Sequence, residues 1–151
     1  MDFSNPHRDA PITNQVLPRT VFDLGSSLVT LTAAGAATSY STDAAQRGKR
    51  EVNTSSRGLR LTANLTKNAG TIDVVVTIQS YDKATGQYVD RLSSASLTAT
   101  GTTEYIVHPD LTAAANTIAK NFLGEEWRVK VVSGAGTTPD FDLAIGACYL
   151  P

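Results

Sequence analysis

The sequence is poor in the residues from which disulfides and metal centres are built. Cysteine occurs once in 151 residues, as Cys148, and histidine occurs twice, as His7 and His108. A single cysteine excludes an intrachain disulfide. Two histidines, one in the first ten residues and one just before Pro109, do not supply the three or four ligands that a zinc site takes. We therefore expect no metal ion and no other cofactor.

The chain also lacks an excess of charge and a long apolar run. Its 13 basic and 14 acidic side chains give a formal net charge of -1, so there is no strong field to attract phosphate backbones or anionic lipid. No stretch approaches the roughly 18 apolar residues of a membrane-spanning helix. Asp2, His7 and Arg8 stand where a signal peptide would be apolar. We expect synthesis in a reducing cytoplasm and binding to neither nucleic acid nor membrane.

Motifs of catalysis are missing as well. No Gly-x-Ser-x-Gly turn occurs, and Gly134-Ala135-Gly136 lacks the following Lys-Ser or Lys-Thr of a phosphate-binding loop. Asp140 and Asp142 lie on one side of a predicted strand and are the best candidates for calcium ligands. Ordinary solvated charge is the simpler interpretation of them and of the other carboxylates. We expect the protein not to be an enzyme.

What the sequence does contain is alternation of apolar and polar residues, which indicates strands with one buried face. Two clear runs are Leu59, Leu61, Ala63 and Leu65, then Ile72, Val74, Val76 and Ile78. Further strand candidates are Tyr88–Leu92, Ala95–Thr100, Glu104–His108, Trp127–Val132 and Asp140–Tyr149. About eight short strands with almost no helix predict an all-β, antiparallel, jelly-roll-like β-sandwich. We assign this domain to residues 26–151.

Turn-forming residues suggest how the strands connect. Lys67-Asn68-Ala69-Gly70 predicts a hairpin between the first two runs, and Tyr81–Tyr88, with Asp82 and Gly86 inside it, predicts a second hairpin. Residues 111–122 are Ala-rich and predict either a short helix or an irregular crossover. The polar stretch 33–57 predicts a loop.

Residues 1–25 differ from the rest and predict an extended N-terminal arm. Prolines at positions 6, 11 and 18 keep this segment from forming a helix. Its sparse aliphatic and aromatic residues suit ordering against a neighbouring subunit, although a disordered terminus is the alternative. The candidate partner-binding residues are Ile12, Val16, Leu17 and Phe22 in the arm and Arg47, Lys49 and Arg50 in the basic part of the predicted loop.

Trp127 is the sole tryptophan, and its sequence position is compatible with two roles. It could form a carbohydrate-stacking platform with tyrosines, but it is in phase with Val129 and Val131 and is predicted to pack between the sheets. Arg128 and Lys130 then project to the opposite face, towards solvent or the carboxylates of a partner.

From about Tyr81 to its end, the chain resembles a group of small tailed-bacteriophage proteins that decorate or cement the head. The segments that carry this resemblance are Asp82–Tyr88, Leu97–Thr102, His108–Asn116, Trp127–Val129 and Ala144–Cys148. The resemblance implies a virion protein that binds the outside of the capsid shell, commonly as a trimer. Its partners would be the major capsid protein or other virion subunits and copies of itself, after synthesis in the host bacterial cytoplasm.

Two other functions share the β-rich, non-enzymatic profile. A phage tail or connector component would differ in binding tails rather than heads. A carbohydrate-binding β-sandwich module would need an exposed strip of aromatic side chains.

Overall fold

The chain forms a sandwich of two antiparallel-dominated β-sheets, as predicted. The computed structural model describes residues 19–24, 37–40, 51–53, 56–134 and 139–151. These residues contain ten strands and no helix. The all-β prediction is confirmed because the period-two pattern places one apolar face of each long strand between the sheets.

The first sheet has five strands in the order β1-β10-β4-β7-β8. They are β1 (Arg19–Leu24), β10 (Asp140–Leu150), β4 (Gly58–Ala69), β7 (Gly101–Val107) and β8 (Ile118–Ala119). All pairs are antiparallel except the two-residue β8, which runs parallel to β7. The long pair of β10 with β4 forms the middle of this sheet.

The second sheet has the strand order β2-β9-β5-β6, with a short further strand, β3, also paired to β9. The strands are β2 (Ala37–Tyr40), β3 (Glu51–Val52), β5 (Val74–Asp82), β6 (Gln87–Ser93) and β9 (Glu126–Ser133). All of its pairs are antiparallel. Its outer face therefore combines side chains from strands that are far apart in sequence.

The core lies between the two sheets and consists of the inward-facing half of each long strand. Trp127 is fully buried, and its indole Nε1 donates a hydrogen bond to the hydroxyl of Tyr149 at 3.0 Å. The two rings meet edge to face, with centroids 6.0 Å apart. The prediction that Trp127 belongs to the core is confirmed.

The hairpin predicted at residues 67–70 is wrong. β4 belongs to the first sheet and β5 to the second, so the turn leads from one layer to the other. Gly70 has the left-handed φ of 70° that the turn requires. Ile72 follows it and is buried between the layers, with 1 % of its surface exposed. Because burying Ile72 draws the chain into the core, the turn becomes a corner between sheets.

The second predicted hairpin is confirmed, since β5 pairs directly with β6. At its turn, the Asp82 carboxylate accepts a hydrogen bond from the backbone N–H of Ala84 at 2.8 Å. This bond is the main reason that the pKa of Asp82 lies below its ordinary value. Gly86 closes the turn with a φ of 72°.

The structure corrects two local predictions and decides a third between its alternatives. Residues 95–100 are not a strand; Leu97 forms only an isolated bridge with Val74. Of the two alternatives for 111–122, the irregular crossover is correct, and it contains β8. The predicted loop 33–57 contains β2 and β3, which both pair with β9. Both strands are short and have no alternation of apolar and polar residues, so the sequence pattern does not predict them. They form because they pair with β9.

Part of the predicted arm falls within the described residues. Its segment Arg19–Leu24 is β1, which pairs with β10 of the same chain through Phe22 and Leu24 opposite Ile145 and Leu143. The segment is extended, and it forms an edge of the first sheet. The division of the chain at residue 25 and the binding of the arm to a neighbouring subunit stay predictions.

Candidate functional site

The outer face of the second sheet carries a group of polar and aromatic side chains that is our candidate binding site. Arg128 on β9 lies opposite Gln79 on β5, and Gln79 lies opposite Asp90 on β6. Because Trp127 and Val129 point into the core, Arg128 between them points outward. Tyr40 lies on β2 opposite Lys130 of β9, and Tyr88 lies on β6 opposite Tyr81 of β5. We call these five residues the arginine–tyrosine cluster.

The Arg128 guanidinium is held by contacts on several sides. Its central carbon lies 3.9 Å from the centroid of the Tyr40 ring and 3.5 Å from that of the Tyr88 ring. Its Nε donates a hydrogen bond to Oε1 of Gln79 at 2.7 Å. Cation–π contacts of this kind each stabilise a guanidinium by about 0.5 to 2 kcal/mol, depending on exposure. The arginine is therefore fixed in one orientation.

Gln79 links the arginine to a carboxylate. While its Oε1 accepts from Arg128, its Nε2 donates to Oδ1 of Asp90 at 2.6 Å. Gln79 is only 5 % exposed although it faces outward. Both ends of a buried amide must be hydrogen-bonded, and here both are. The row Asp90–Gln79–Arg128 thus crosses three strands, linked through the Gln79 amide.

Tyr88 connects the cluster to the hairpin turn and to the edge of the sheet. Its ring lies 5.1 Å from that of Tyr81, the residue directly opposite on β5, with a tilt of 55°. Farther along β6, the register shifts so that Arg91 is an extra residue between Asp90 and Leu92. Bulges on edge strands discourage unspecific strand pairing. The geometry favours contact through the face of this sheet.

The charged side chains of this outer face differ in whether they form ion pairs within the chain. Asp90 accepts from Gln79, and Glu126 lies 3.8 Å from the Lys83 ammonium. Lys83 also contacts Glu125 at 2.7 Å, and this hydrogen bond is the main cause of its raised pKa. In the described part of the chain, Arg128 and Lys130 form no ion pair. Asp90 forms no ion pair there either, because its partner Gln79 is neutral, so charges of both signs lack a counterion.

Most of the residues predicted to bind a partner are not among those that the structure describes. Ile12, Val16, Leu17, Arg47, Lys49 and Arg50 lie outside the described residues. Phe22 is part of β1, where its backbone lies opposite Ile145. Phe22 therefore belongs to the first sheet, and the partner-binding role of all seven residues stays a prediction.

Sequence reasoning placed Arg128 and Lys130 on the outer face but missed Tyr40, Gln79 and Tyr88. The flanking tyrosines of the Tyr81–Tyr88 turn were the available indication, because residues that bracket a hairpin turn lie opposite each other on one face. Tyr40 and Arg128 are too distant in sequence for any local pattern to connect them.

The carboxylates weighed as calcium ligands lie on the first sheet. Asp140 and Asp142 both accept hydrogen bonds from the Asn68 amide, at 3.3 and 3.1 Å. Within the described ranges, no three His, Cys, Asp or Glu side chains are grouped so that they could hold a metal ion.

No protein-family model, curated protein or solved structure matches the chain. The described residues also include no helix of the length and apolarity needed to cross a membrane.

Proposed function

We propose that this protein is a non-enzymatic virion structural protein that binds and stabilises the outside of a phage capsid shell. The observation that supports the proposal is the arginine–tyrosine cluster on the outer face of the second sheet. Tyrosine and arginine are the residues most enriched, with tryptophan, at the energetic centres of protein–protein interfaces. Side chains already fixed before binding lose little conformational entropy when a partner covers them.

The sequence resemblance to head-decoration proteins gives this binding role its setting. The partner is the major capsid protein or another virion subunit, and the protein associates with copies of itself, with a trimer favoured. A sandwich with few charged residues suits this role, since charged groups are depleted at the centres of protein interfaces. The protein is made in the host bacterial cytoplasm and ends on the capsid surface.

Binding to isolated phage heads and tails tests the proposal. Purified protein is mixed with heads that lack it and, separately, with tails, and each mixture is sedimented through a gradient. We expect co-sedimentation with heads and a raised temperature of head disruption. Binding to tails alone would make the protein a tail or connector component, and binding to neither would refute a role in the virion.

The non-enzymatic part of the proposal is tested with substrates. Purified protein is incubated with ester, peptide, glycoside and phosphoester substrates, and we expect no turnover above buffer. Turnover that disappears when a single carboxylate or serine is replaced would contradict this part of the proposal.

A carbohydrate-binding module is the second candidate, because one observation favours it. Three tyrosines, Tyr40, Tyr81 and Tyr88, share the outer face of the second sheet. However, Tyr88 already contacts Arg128 and Tyr81, which reduces the ring surface that a sugar could stack on. Specific retention on a glycan array would support this candidate, and we expect none.

A further inference from the structure

We infer that His108, Asp110 and Arg57 form a pH-sensitive latch at one end of the sandwich. While His108 is neutral, the latch holds the crossover that follows β7, and it loosens when His108 takes up a proton. We call these three residues the histidine latch. The latch is independent of the proposed function, and His108 is the only histidine among the described residues.

The hydrogen bonds of the His108 ring require its neutral form. Nδ1 accepts a hydrogen bond from the backbone N–H of Asp110 at 3.2 Å, so Nδ1 carries no proton. Nε2 lies 2.9 Å from the main-chain oxygen of Pro151, the last residue of the sequence. Because that oxygen only accepts, the single ring proton is on Nε2. The two bonds together therefore require the neutral Nε2–H tautomer.

The ring has little room to turn away from Asp110. A Cβ at Gly58 would overlap Cδ2 of His108, so the ring lies against the backbone at the start of β4. The backbone N–H of His108 donates to the carbonyl oxygen of Ala119 at 3.0 Å, which ties this residue to β8. A change in the charge of the ring must therefore act on the groups that already contact it.

Protonation removes one of the two ring bonds. A second proton on the ring goes to Nδ1, where it faces the N–H of Asp110, and two donors cannot bond to each other. The Nε2–H bond to Pro151 is unaffected. Histidine changes its charge between about pH 5 and 8, where ordinary carboxyl groups stay ionised. The contribution of the Asp110 bond is therefore present at neutral pH and is lost as the pH falls.

The charges near the ring make the Asp110 carboxylate the group that responds. The start of β4, the end of β10 and the crossover pack against His108. Near His108, these elements and β7 carry the charged side chains Arg57, Arg60, Glu104, Asp110 and Lys120. Among the described residues, only Arg57 and Asp110 of this group form an ion pair, with two contacts of 2.6 and 3.0 Å. A protonated His108 is a second cation beside that carboxylate, so it competes with Arg57.

Arg57 connects this change to the far end of the crossover. Its guanidinium lies 5.9 Å from the centroid of the Phe122 ring, and its carbonyl oxygen accepts from the N–H of Leu123 at 3.2 Å. Phe122 is largely exposed, so much of its ring has no other contact within the chain. When Arg57 loses its hold on Asp110, the Phe122 ring loses a fixed neighbour. Acidification should therefore loosen the crossover and leave the core unchanged.

NMR of the intact protein between about pH 8 and 5 tests the latch. We expect the ¹⁵N shifts of the His108 ring to show the Nε2–H tautomer at the upper end of this range. As the ring takes up a proton, the Asp110 amide signal and the Phe122 ring signals should shift with the same midpoint. His7→Gln is the control, because it removes the other histidine of the sequence and should leave these shifts unchanged.

Two further variants separate the parts of the latch. His108→Gln cannot titrate, so the shifts at Asp110 and Phe122 should disappear. Asp110→Asn keeps the backbone N–H but loses the carboxylate, so the amide of residue 110 should still respond while Phe122 should not. Fluorescence of the buried Trp127 at the upper pH verifies that each variant is folded.

Four results would overturn the inference. An Nδ1–H tautomer at the upper pH would contradict the ring bonds described above. Titration of His108 with unchanged Asp110 and Phe122 signals in the unaltered protein would show that the ring controls nothing, and this result does not depend on any variant folding. Persistence of the shifts in His108→Gln would assign them to another group. A Phe122 response that survives in Asp110→Asn would exclude transmission through the ion pair.

Discussion

Replacing Trp127 with alanine should be among the most destabilising single changes in the molecule. The side chain is fully buried, its N–H is bonded to Tyr149 at 3.0 Å, and the two rings pack edge to face. Deleting a buried aromatic costs about 3 to 5 kcal/mol, since both the transfer energy and a cavity are involved. With a urea slope of about 2 kcal/mol per M, the unfolding midpoint should fall by about 2 M.

The assay is urea unfolding followed by far-ultraviolet circular dichroism, because the variant has no tryptophan to report by fluorescence. Phe122→Ala is the control, since Phe122 is 61 % exposed, and its free energy of unfolding should change by no more than about 0.5 kcal/mol. Trp127→Phe keeps a ring in the core and should give an intermediate loss if the alanine variant does not fold. A loss below about 1 kcal/mol for Trp127→Ala would refute the packing described here.

Three further predictions concern turns and close contacts. A Cβ at Gly58 would overlap the carbonyl oxygen of the facing strand, whereas one at Gly101 would meet open space. Urea unfolding should therefore show that Gly58→Ala lowers the free energy of unfolding by about 1 to 3 kcal/mol and that Gly101→Ala leaves it almost unchanged. Gly86→Ala should cost about 1 to 2 kcal/mol, because Gly86 has a φ of 72°; an unchanged unfolding midpoint would contradict this. The Asp82 pKa is lowered in the folded state, so its contribution to stability is present above the ordinary carboxyl pKa and is lost as the pH falls through the lowered one; an NMR titration of Asp82 that gives an ordinary pKa would contradict this.

The core was the part of the fold most accessible from sequence. Leu61, Val76, Val129 and Leu143 were each placed by alternation, and each is buried. Alternation works here because each long strand has one face against the other sheet. The same rule predicted that Trp127 lies inside and that Arg128 lies outside. These two placements locate one residue of the cluster, but they do not show which other strands contribute to it.

Sheet membership was not accessible, and the cluster depends on it. The turn after Ala69 was interpreted as a hairpin, but tight-turn residues also suit a corner between two sheets, and burial of Ile72 decides between them. Tyr40 becomes a neighbour of Arg128 only because β2 pairs with β9. A four-residue polar strand has no periodic pattern to predict it, so a contact between such distant residues follows from the tertiary fold alone.

Imaging a phage particle that contains this chain tests the central claim most directly. A reconstruction by electron cryomicroscopy should show the sandwich on the outer surface of the head, with the arginine–tyrosine cluster of the second sheet facing the capsid protein. Density for the chain in the tail, inside the shell or absent from the particle would contradict the capsid role. Density on the head with the arginine–tyrosine cluster facing solvent would contradict the binding role of the cluster.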